Sequence, residues 1–306
     1  MGPTGSGKSD LAINLAQVFN GEIVNADSRQ LFRYLDIGTA KQSHSQRAGV
    51  PHHLIDITDP DRDYNLADYQ ASANLTINEI QSRGRLPFLV GGSGLYVWTV
   101  LEGWQIPRVA PNVELRRSLE TRARIEGSEA LYRELIELEP SVAGRIDPRN
   151  IRRVIRALEI ELNTTVDNVN PPVKRIPPYR TLIIGLTASR DVLYQHVDAR
   201  VDKMLEDGLV EEVTSILGKG FPTTAPGLSS VGYKEALSYL HGELDLKEMS
   251  DRIKAETHRL IRHQYNWFKL NDPRIHWLNV ETDYLGAATR LVTNLLKEKK
   301  SEYGFY

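Results

Sequence analysis

Gly2-Pro-Thr-Gly-Ser-Gly-Lys-Ser9 is the most informative segment of this sequence, because it matches the pattern G-x-x-x-x-G-K-[ST] at every specified position. Glycines in this pattern let successive backbone N–H groups point at an anion, and the following helix adds its positive N-terminal end. The apolar spacing over residues 10–19 is that of such a helix. We therefore predict a P-loop for a diphosphate or triphosphate, with Lys8 on the outer phosphate and Ser9 on Mg²⁺. The binding residues are Gly2, Pro3, Thr4, Gly5, Ser6, Gly7, Lys8 and Ser9.

Strand and helix patterns alternate beyond this loop. Short apolar runs predict strands at 22–26, 54–57, 86–90 and 181–186, and helical spacing covers 66–82 and begins again at 95. This alternation indicates an α/β fold of the P-loop type, a mostly parallel sheet flanked by helices. A P-loop normally follows a buried strand, and here only Met1 precedes Gly2. We expect that the numbering begins inside the natural protein, with loss of a central strand as the alternative.

The middle of the chain has a different pattern. Residues 112–162 are helical in spacing and rich in arginine, with no convincing strand. We predict a helical insertion domain over 111–180, and a P-loop core with C-terminal helices formed by 1–110 and 181–306.

The composition is that of a soluble globular enzyme. Of the 306 residues, 41% are hydrophobic and 25% are charged, and no apolar run approaches the ~20 residues that a membrane helix needs. The absence of cysteine excludes disulfides and thiolate chemistry. The formal net charge of −2 still permits a basic face, because binding responds to the local field. We expect a cytoplasmic protein with no membrane contact.

A carboxylate follows the first predicted strand. Asp27 stands directly after residues 22–26, and in parallel α/β sheets the carboxyl ends of the strands open onto the ligand crevice. Asp27 can serve there as metal support or as a general base, and the alternative is a simple turn residue. The strand at 86–90 ends in Gly91-Gly-Ser-Gly94 rather than in the Asp that a P-loop kinase places on its metal.

Further segments occur in a recognisable order. The chain resembles the tRNA dimethylallyltransferases, also called tRNA isopentenyltransferases, and the bacterial type in particular. The matching segments are Gly2–Ser9, Asp27-Ser-Arg-Gln30, Asp36-Ile-Gly-Thr-Ala-Lys41, Pro51-His-His-Leu-Ile-Asp56, Gly91-Gly-Ser-Gly-Leu-Tyr96, Arg153-Val-Ile-Arg-Ala-Leu-Glu159, Val231-Gly-Tyr-Lys-Glu235 and Arg262-His-Gln-Tyr-Asn-Trp267.

The resemblance implies a reaction. The donor would be dimethylallyl diphosphate with Mg²⁺, and the acceptor the exocyclic amine of the adenosine 3′ of the anticodon in tRNAs reading U-initial codons. Asp27 would be the general base, while Lys8 and Ser93 would help to neutralise the leaving diphosphate. The family usually has Thr where Ser93 stands, so the hydroxyl is kept on a less rigid side chain.

The resemblance also implies that the protein binds tRNA and that the helical insertion is a tRNA-binding domain. Arg149, Arg152, Arg153 and Arg156 recur at helical spacings of three and four, so much of this charge can share one face. A solvated surface is the alternative. The predicted tRNA-binding residues are Asp27, Ser28, Arg29, Gln30, Arg152, Arg153, Val154, Ile155, Arg156 and Lys234.

Two other enzyme classes stay open at this point. An adenylate isopentenyltransferase would use a free nucleotide as acceptor, and it would not need the arginine-rich insertion. A P-loop small-molecule kinase would consume ATP. It requires an Asp at the end of a strand, but the strand that ends at Val90 is followed by glycine. A non-catalytic RNA-binding module would leave the complete P-loop unexplained. Nothing in the pattern demands a partner protein, and we expect a monomer.

Overall fold

The strands pair only in parallel. The structure is a computed structural model that describes residues 1–107, 109, 112–163 and 179–302. Within these residues a three-stranded sheet has the order β2-β1-β3, and a second sheet pairs β4 with β5. The predicted parallel α/β fold is thereby confirmed. The strands are β1 (Gly21–Asn25), β2 (His52–His53), β3 (Leu86–Val90), β4 (Ile183–Thr187) and β5 (Ile275–Asn279).

The chain divides into two compact units, one of Met1–Gly103 with Ile176–Tyr306 and one of Trp104–Arg175. The predicted boundaries were 111 and 180, and residues 164–178 of that segment lie outside the described part. The first unit begins with helices α1 (Lys8–Val18), α2 (Leu66–Ser82) and α3 (Gly94–Leu101).

The second unit is a small helical assembly with its own apolar core. Leu119, Leu131, Leu135, Val154 and Leu158 are among its buried side chains, and they come from three of its helices. Its helices are α4 (Val113–Glu126), α5 (Ser128–Leu138), α6 (Pro140–Ala143) and α7 (Ile151–Asn163).

In the described remainder of the first unit, the regular elements other than β4 and β5 are helices. Local sequence explains where its longest helix begins: Asp245 and Glu248 form a reciprocal capping box, each side chain accepting a hydrogen bond from the other's backbone N–H. Among the described residues, no helix combines the length and apolarity needed to span a bilayer. The helices are α8 (Arg190–Glu206), α9 (Leu209–Gly218), α10 (Tyr233–Leu240), α11 (Leu246–Trp267) and α12 (Tyr284–Glu302).

The strand predicted at 54–57 is wrong. The pairing with β1 involves only His52 and His53, opposite Ile23 and Val24. Leu54 and Asp56 then adopt φ values of 59° and 57°, in the left-handed region where a strand cannot continue. The other predicted strands lie within two residues of β1, β3 and β4.

Candidate active site

The P-loop has the backbone that its glycines predict. The backbone φ values are 142° at Gly2, 81° at Gly5 and 73° at Gly7, and residues with a Cβ rarely adopt such values. Helix α1 begins directly afterwards at Lys8, and no side chain caps its first N–H groups. These donors are left for an anion at the positive end of the helix.

Two cations lie beside this loop. The Lys8 ammonium donates to the carbonyl of Pro3 at 2.5 Å, and the Arg200 guanidinium, from α8, donates to Thr4 Oγ1 at 3.2 Å. Burial lowers the pKa of Lys8 to about 7, and the nearby Arg200 adds to this effect while Asp27 opposes it. Two half-buried like charges in one cavity wall repel each other, so the arrangement suits a strongly negative ligand.

Asp27 lies at the carboxyl end of β1 and belongs to a rigid loop. Asn25 Oδ1 accepts from the Asp27 N–H at 3.1 Å, and Asp27 Oδ1 accepts from the Arg29 N–H at 2.9 Å. The turn role considered from the sequence is therefore present. The adjacent Ser93 Oγ accepts from the Ser28 N–H at 3.0 Å and donates to Ser28 Oγ at 3.2 Å. The structure thus brings the loops after β1 and β3 together, as parallel strands require.

Two cavities meet at Asp27. The phosphate chamber has a volume of about 720 Å³ and is lined by P-loop residues, and the second chamber has about 440 Å³ and extends toward α11. Asp27 borders both of them. The residues common to both linings are Thr4, Asp27, Thr39, Ala40, Gly92, Arg200 and Met204.

The chambers differ in chemistry. The phosphate chamber has a largely polar wall in which cations such as Lys8 lie beside carboxylates such as Asp10, whereas the wall of the second chamber includes apolar side chains such as Val201 and Ile253. One cavity suits an anion and the other suits a planar or apolar group. A carboxylate at their junction can take a proton from a group in the second chamber while a bond forms toward the first.

Segment 36–41 is held by a buried lysine. Lys41 Nζ is within 2.6 Å of both Asp36 Oδ1 and Asp56 Oδ1, and its side chain is only 3% exposed. It also donates to the Phe32 carbonyl at 3.0 Å. The two motifs 36–41 and 51–56 therefore form one wall of the phosphate chamber, in which Lys41 is a structural cation.

Several predicted RNA contacts have partners inside the protein. Gln30 Nε2 donates to the Thr39 carbonyl at 3.1 Å, and the half-exposed Lys234 lies 3.3 Å from Glu235 Oε1. Arg29 is exposed, with one weak hydrogen bond to Pro226 O. RNA binding by these residues stays a prediction.

The arginine-rich helix α7 divides its residues between surface and core. Arg152 and Arg153 are exposed, whereas Val154 and Ile155 are buried in the core of the second unit. Arg156 donates to the fully buried Glu159 carboxylate at 2.5 Å. The buried side chains of Val154 and Ile155 are not available to a ligand, so the predicted RNA surface of α7 consists of its exposed arginines.

Sequence reasoning missed Arg200. It lies in the middle of α8, more than 190 residues from Thr4, within no motif that the sequence shows. A cation on a helix far from the P-loop has no local signal, because only the packing of α8 against the loop brings the two together. The close fit is visible at Gly5, where an added Cβ would lie 2.8 Å from a methyl group of Val197.

Comparisons with known proteins agree on one family. Residues 30–271 match the family model described as IPP transferase. The tRNA dimethylallyltransferase of Thermomicrobium roseum is 50% identical over 99% of this chain and 92% of its own length. The tRNA isopentenylpyrophosphate transferase of Bacillus halodurans superposes with a TM-score of 0.73 at 37% identity, covering 99% of this chain and 97% of that one. A eukaryotic dimethylallyltransferase acting on tRNA superposes with a TM-score of 0.81 at 25% identity, covering 97% and 78%.

Proposed function

Because the chain belongs to the IPP transferase family, we propose that it transfers a dimethylallyl group from dimethylallyl diphosphate to the N6 amine of an adenosine in tRNA. The acceptor is the adenosine adjacent to the 3′ side of the anticodon in tRNAs that read U-initial codons. The observation that supports this function best is the position of Asp27, which borders both the phosphate chamber with its P-loop and the second chamber.

The donor occupies the phosphate chamber. Its diphosphate lies against the P-loop N–H groups, Lys8 and Arg200, which neutralise the charge that develops as the carbon–oxygen bond breaks. Released diphosphate carries the bonding electrons away. The diphosphate also offsets the repulsion between the half-buried cations Lys8 and Arg200, which favours its binding.

The acceptor base occupies the second chamber. An adenine stacked in an anticodon loop cannot reach a carboxylate inside a cavity, so it must leave the stack, as in other enzymes that modify bases. Its N6 attacks the allylic carbon, the new carbon–nitrogen bond forms, and the N6 proton passes to Asp27. The Ser93 and Asn25 hydrogen bonds hold this carboxylate loop in place during the transfer.

Magnesium fits the oxygen groups at the phosphate chamber. The Ser9 hydroxyl lines it and would hold Mg²⁺, which prefers oxygen ligands. The described residues contain no cluster of three or more His, Cys, Asp or Glu, so the other ligands would be phosphate oxygens and water. We further propose that the enzyme is a cytoplasmic monomer.

The defining experiment supplies dimethylallyl diphosphate, Mg²⁺ and unmodified tRNA, with AMP as a parallel acceptor, and measures product masses. We expect the prenyl mass on an anticodon-loop adenosine and none on AMP. Prenylation of AMP alone would identify an adenylate isopentenyltransferase, and phosphoryl transfer from ATP would identify a kinase.

Asp27→Asn tests the base. The amide keeps the size and the hydrogen bond to Arg29 but cannot accept the N6 proton, so kcat should fall by about 10²–10⁴-fold while donor binding persists. The exposed Asp63→Asn, in a surface loop, is the matched control and should leave kcat unchanged. Near-normal turnover of Asp27→Asn with both substrates bound would contradict this mechanism.

A further inference from the structure

The side-chain amide of Gln264, on α11, bridges two separate loops of the candidate active site. Gln264 Oε1 accepts from the Thr4 N–H of the P-loop at 2.8 Å, and Gln264 Nε2 donates to the Gly92 carbonyl at 3.0 Å. The residue is 7% exposed, and its amide is directed at both backbone groups. One carboxamide therefore satisfies one donor and one acceptor that belong to different parts of the fold.

The end of α11 is fitted closely into this region. A Cβ on Gly92 would lie 2.4 Å from Gln264 Nε2, and a Cβ on Gly94 would lie 2.2 Å from Trp267 Cγ. Trp98 Nε1 donates to the Trp267 carbonyl at 2.9 Å. The two glycines thus leave room for α11 to reach the loops at the ends of β1 and β3.

The bridged residues lie where the two chambers meet. Thr4 and Gly92 are in the walls of both, and Gly92 precedes Ser93, which holds the Asp27 loop through Ser28. We propose that Gln264 is a positioning residue that sets the P-loop against the Ser93 loop, and so places the donor diphosphate relative to the Asp27 carboxylate. The proposal rests on the function proposed above and adds a residue through which its geometry is maintained.

The amide group is what this role requires. Gln264→Met keeps a side chain of similar length but offers neither the acceptor nor the donor, so the Thr4 N–H and the Gly92 carbonyl lose this partner. Gln264→Glu keeps the acceptor for Thr4 N–H, and it places a carboxylate oxygen against the Gly92 carbonyl. The expected order of kcat/KM for the donor is therefore wild type above both variants.

The experiment measures prenyl transfer to tRNA, inorganic diphosphate affinity, tRNA affinity and Tm for wild type, Gln264→Met, Gln264→Glu and Asn266→Met. Asn266 lies two residues away on the exposed side of α11, so Asn266→Met is the matched control for the loss of a side-chain amide. We expect Gln264→Met to lose about 10- to 100-fold in kcat/KM for the donor and several-fold in diphosphate affinity. Its tRNA affinity should stay within about twofold of wild type, and Asn266→Met should match wild type throughout.

A second readout separates positioning from packing. Gly92→Ala would push its methyl group into the Gln264 amide, so in the wild-type background it should lower donor kcat/KM by about tenfold or more. In the Gln264→Ala background that space is open, and the same Gly92→Ala change should have a smaller effect. Such non-additivity is expected only when the two residues act through one contact.

Three results would overturn the proposal: wild-type kcat/KM in Gln264→Met, additive effects in the Gly92 cycle, or equal losses of tRNA and diphosphate affinity with a large fall in Tm. The last result would make Gln264 a purely structural residue. If wild type itself failed to prenylate tRNA, the proposed function would fail instead, and diphosphate affinity would still report whether Gln264 positions the P-loop.

Discussion

The buried carboxylate of Glu159 should be a main determinant of stability in the helical unit. It accepts from Arg116 at 2.9 and 2.7 Å, from Arg156 at 2.5 Å and from the Asn112 N–H at 2.6 Å. The perturbation is Glu159→Gln, which keeps the shape and removes the charge. Glu159 is fully buried, whereas Arg116 and Arg156 are 37% and 35% exposed, so the arginines can partly rehydrate when the carboxylate is lost.

The size of the effect follows from the pKa of Glu159. Burial by itself would raise that pKa, but the hydrogen bonds from Arg116, Arg156 and the Asn112 N–H lower it from 4.5 to about 2. At 1.36 kcal/mol per pKa unit, this difference corresponds to about 3 kcal/mol of stability at neutral pH. Because the folded-state pKa is the lower one, this stability is fully present above about pH 4.5 and is lost as the pH falls toward 2.

Hydrogen exchange followed by mass spectrometry on peptides from α4 and α7 of the full chain measures the opening free energy of this unit. We expect Glu159→Gln to lower it by about 3 kcal/mol at pH 7, with a deficit that shrinks below pH 4.5. The control Glu126→Gln breaks an exposed pair with Arg122 and should cost less than about 0.5 kcal/mol. If Glu159→Gln lowered the opening free energy by less than 1 kcal/mol, or by the same amount at pH 7 and pH 3, the Glu159 charge would not be the main determinant of stability in this unit.

Two further predictions concern ligands. Because the pKa of Lys8 is about 7 in the ligand-free protein, diphosphate binding should draw a proton onto Lys8 between pH 7 and 10, and affinity should weaken as the pH rises. Calorimetry at pH 8 in buffers of different ionisation enthalpy measures this uptake, which Lys8→Met should abolish; equal uptake in both proteins would contradict the assignment. Arg152→Glu with Arg153→Glu should weaken tRNA binding and reduce the slope of log K against log salt by about 0.7–0.9 for each phosphate that the arginines no longer neutralise, with kcat at saturating tRNA unchanged. An unchanged slope would exclude these arginines from the RNA surface.

Local sequence was sufficient for the parts of the fold that depend on local physics. The P-loop was predictable because Gly5 and Gly7 are needed for left-handed backbone and because a periodic helix follows at once. The proximity of Asp27 and Ser93 was predictable from the rule that parallel strands end at one edge. The strand expected at 54–57 failed because an apolar run does not show that Leu54 and Asp56 turn the chain through positive φ.

The chemistry available to this protein is legible in its sequence: a phosphate-binding loop, a carboxylate after the first strand, and an order of motifs shared with one enzyme family. Which distant groups complete the site depends on how the helices pack around that loop. Arg200 and Gln264 reach Thr4 from helices about 200 and 260 positions away. Contacts of this kind depend on how the helices pack. Two residues about 200 positions apart share no periodicity or spacing in the sequence, so the sequence does not predict that they touch.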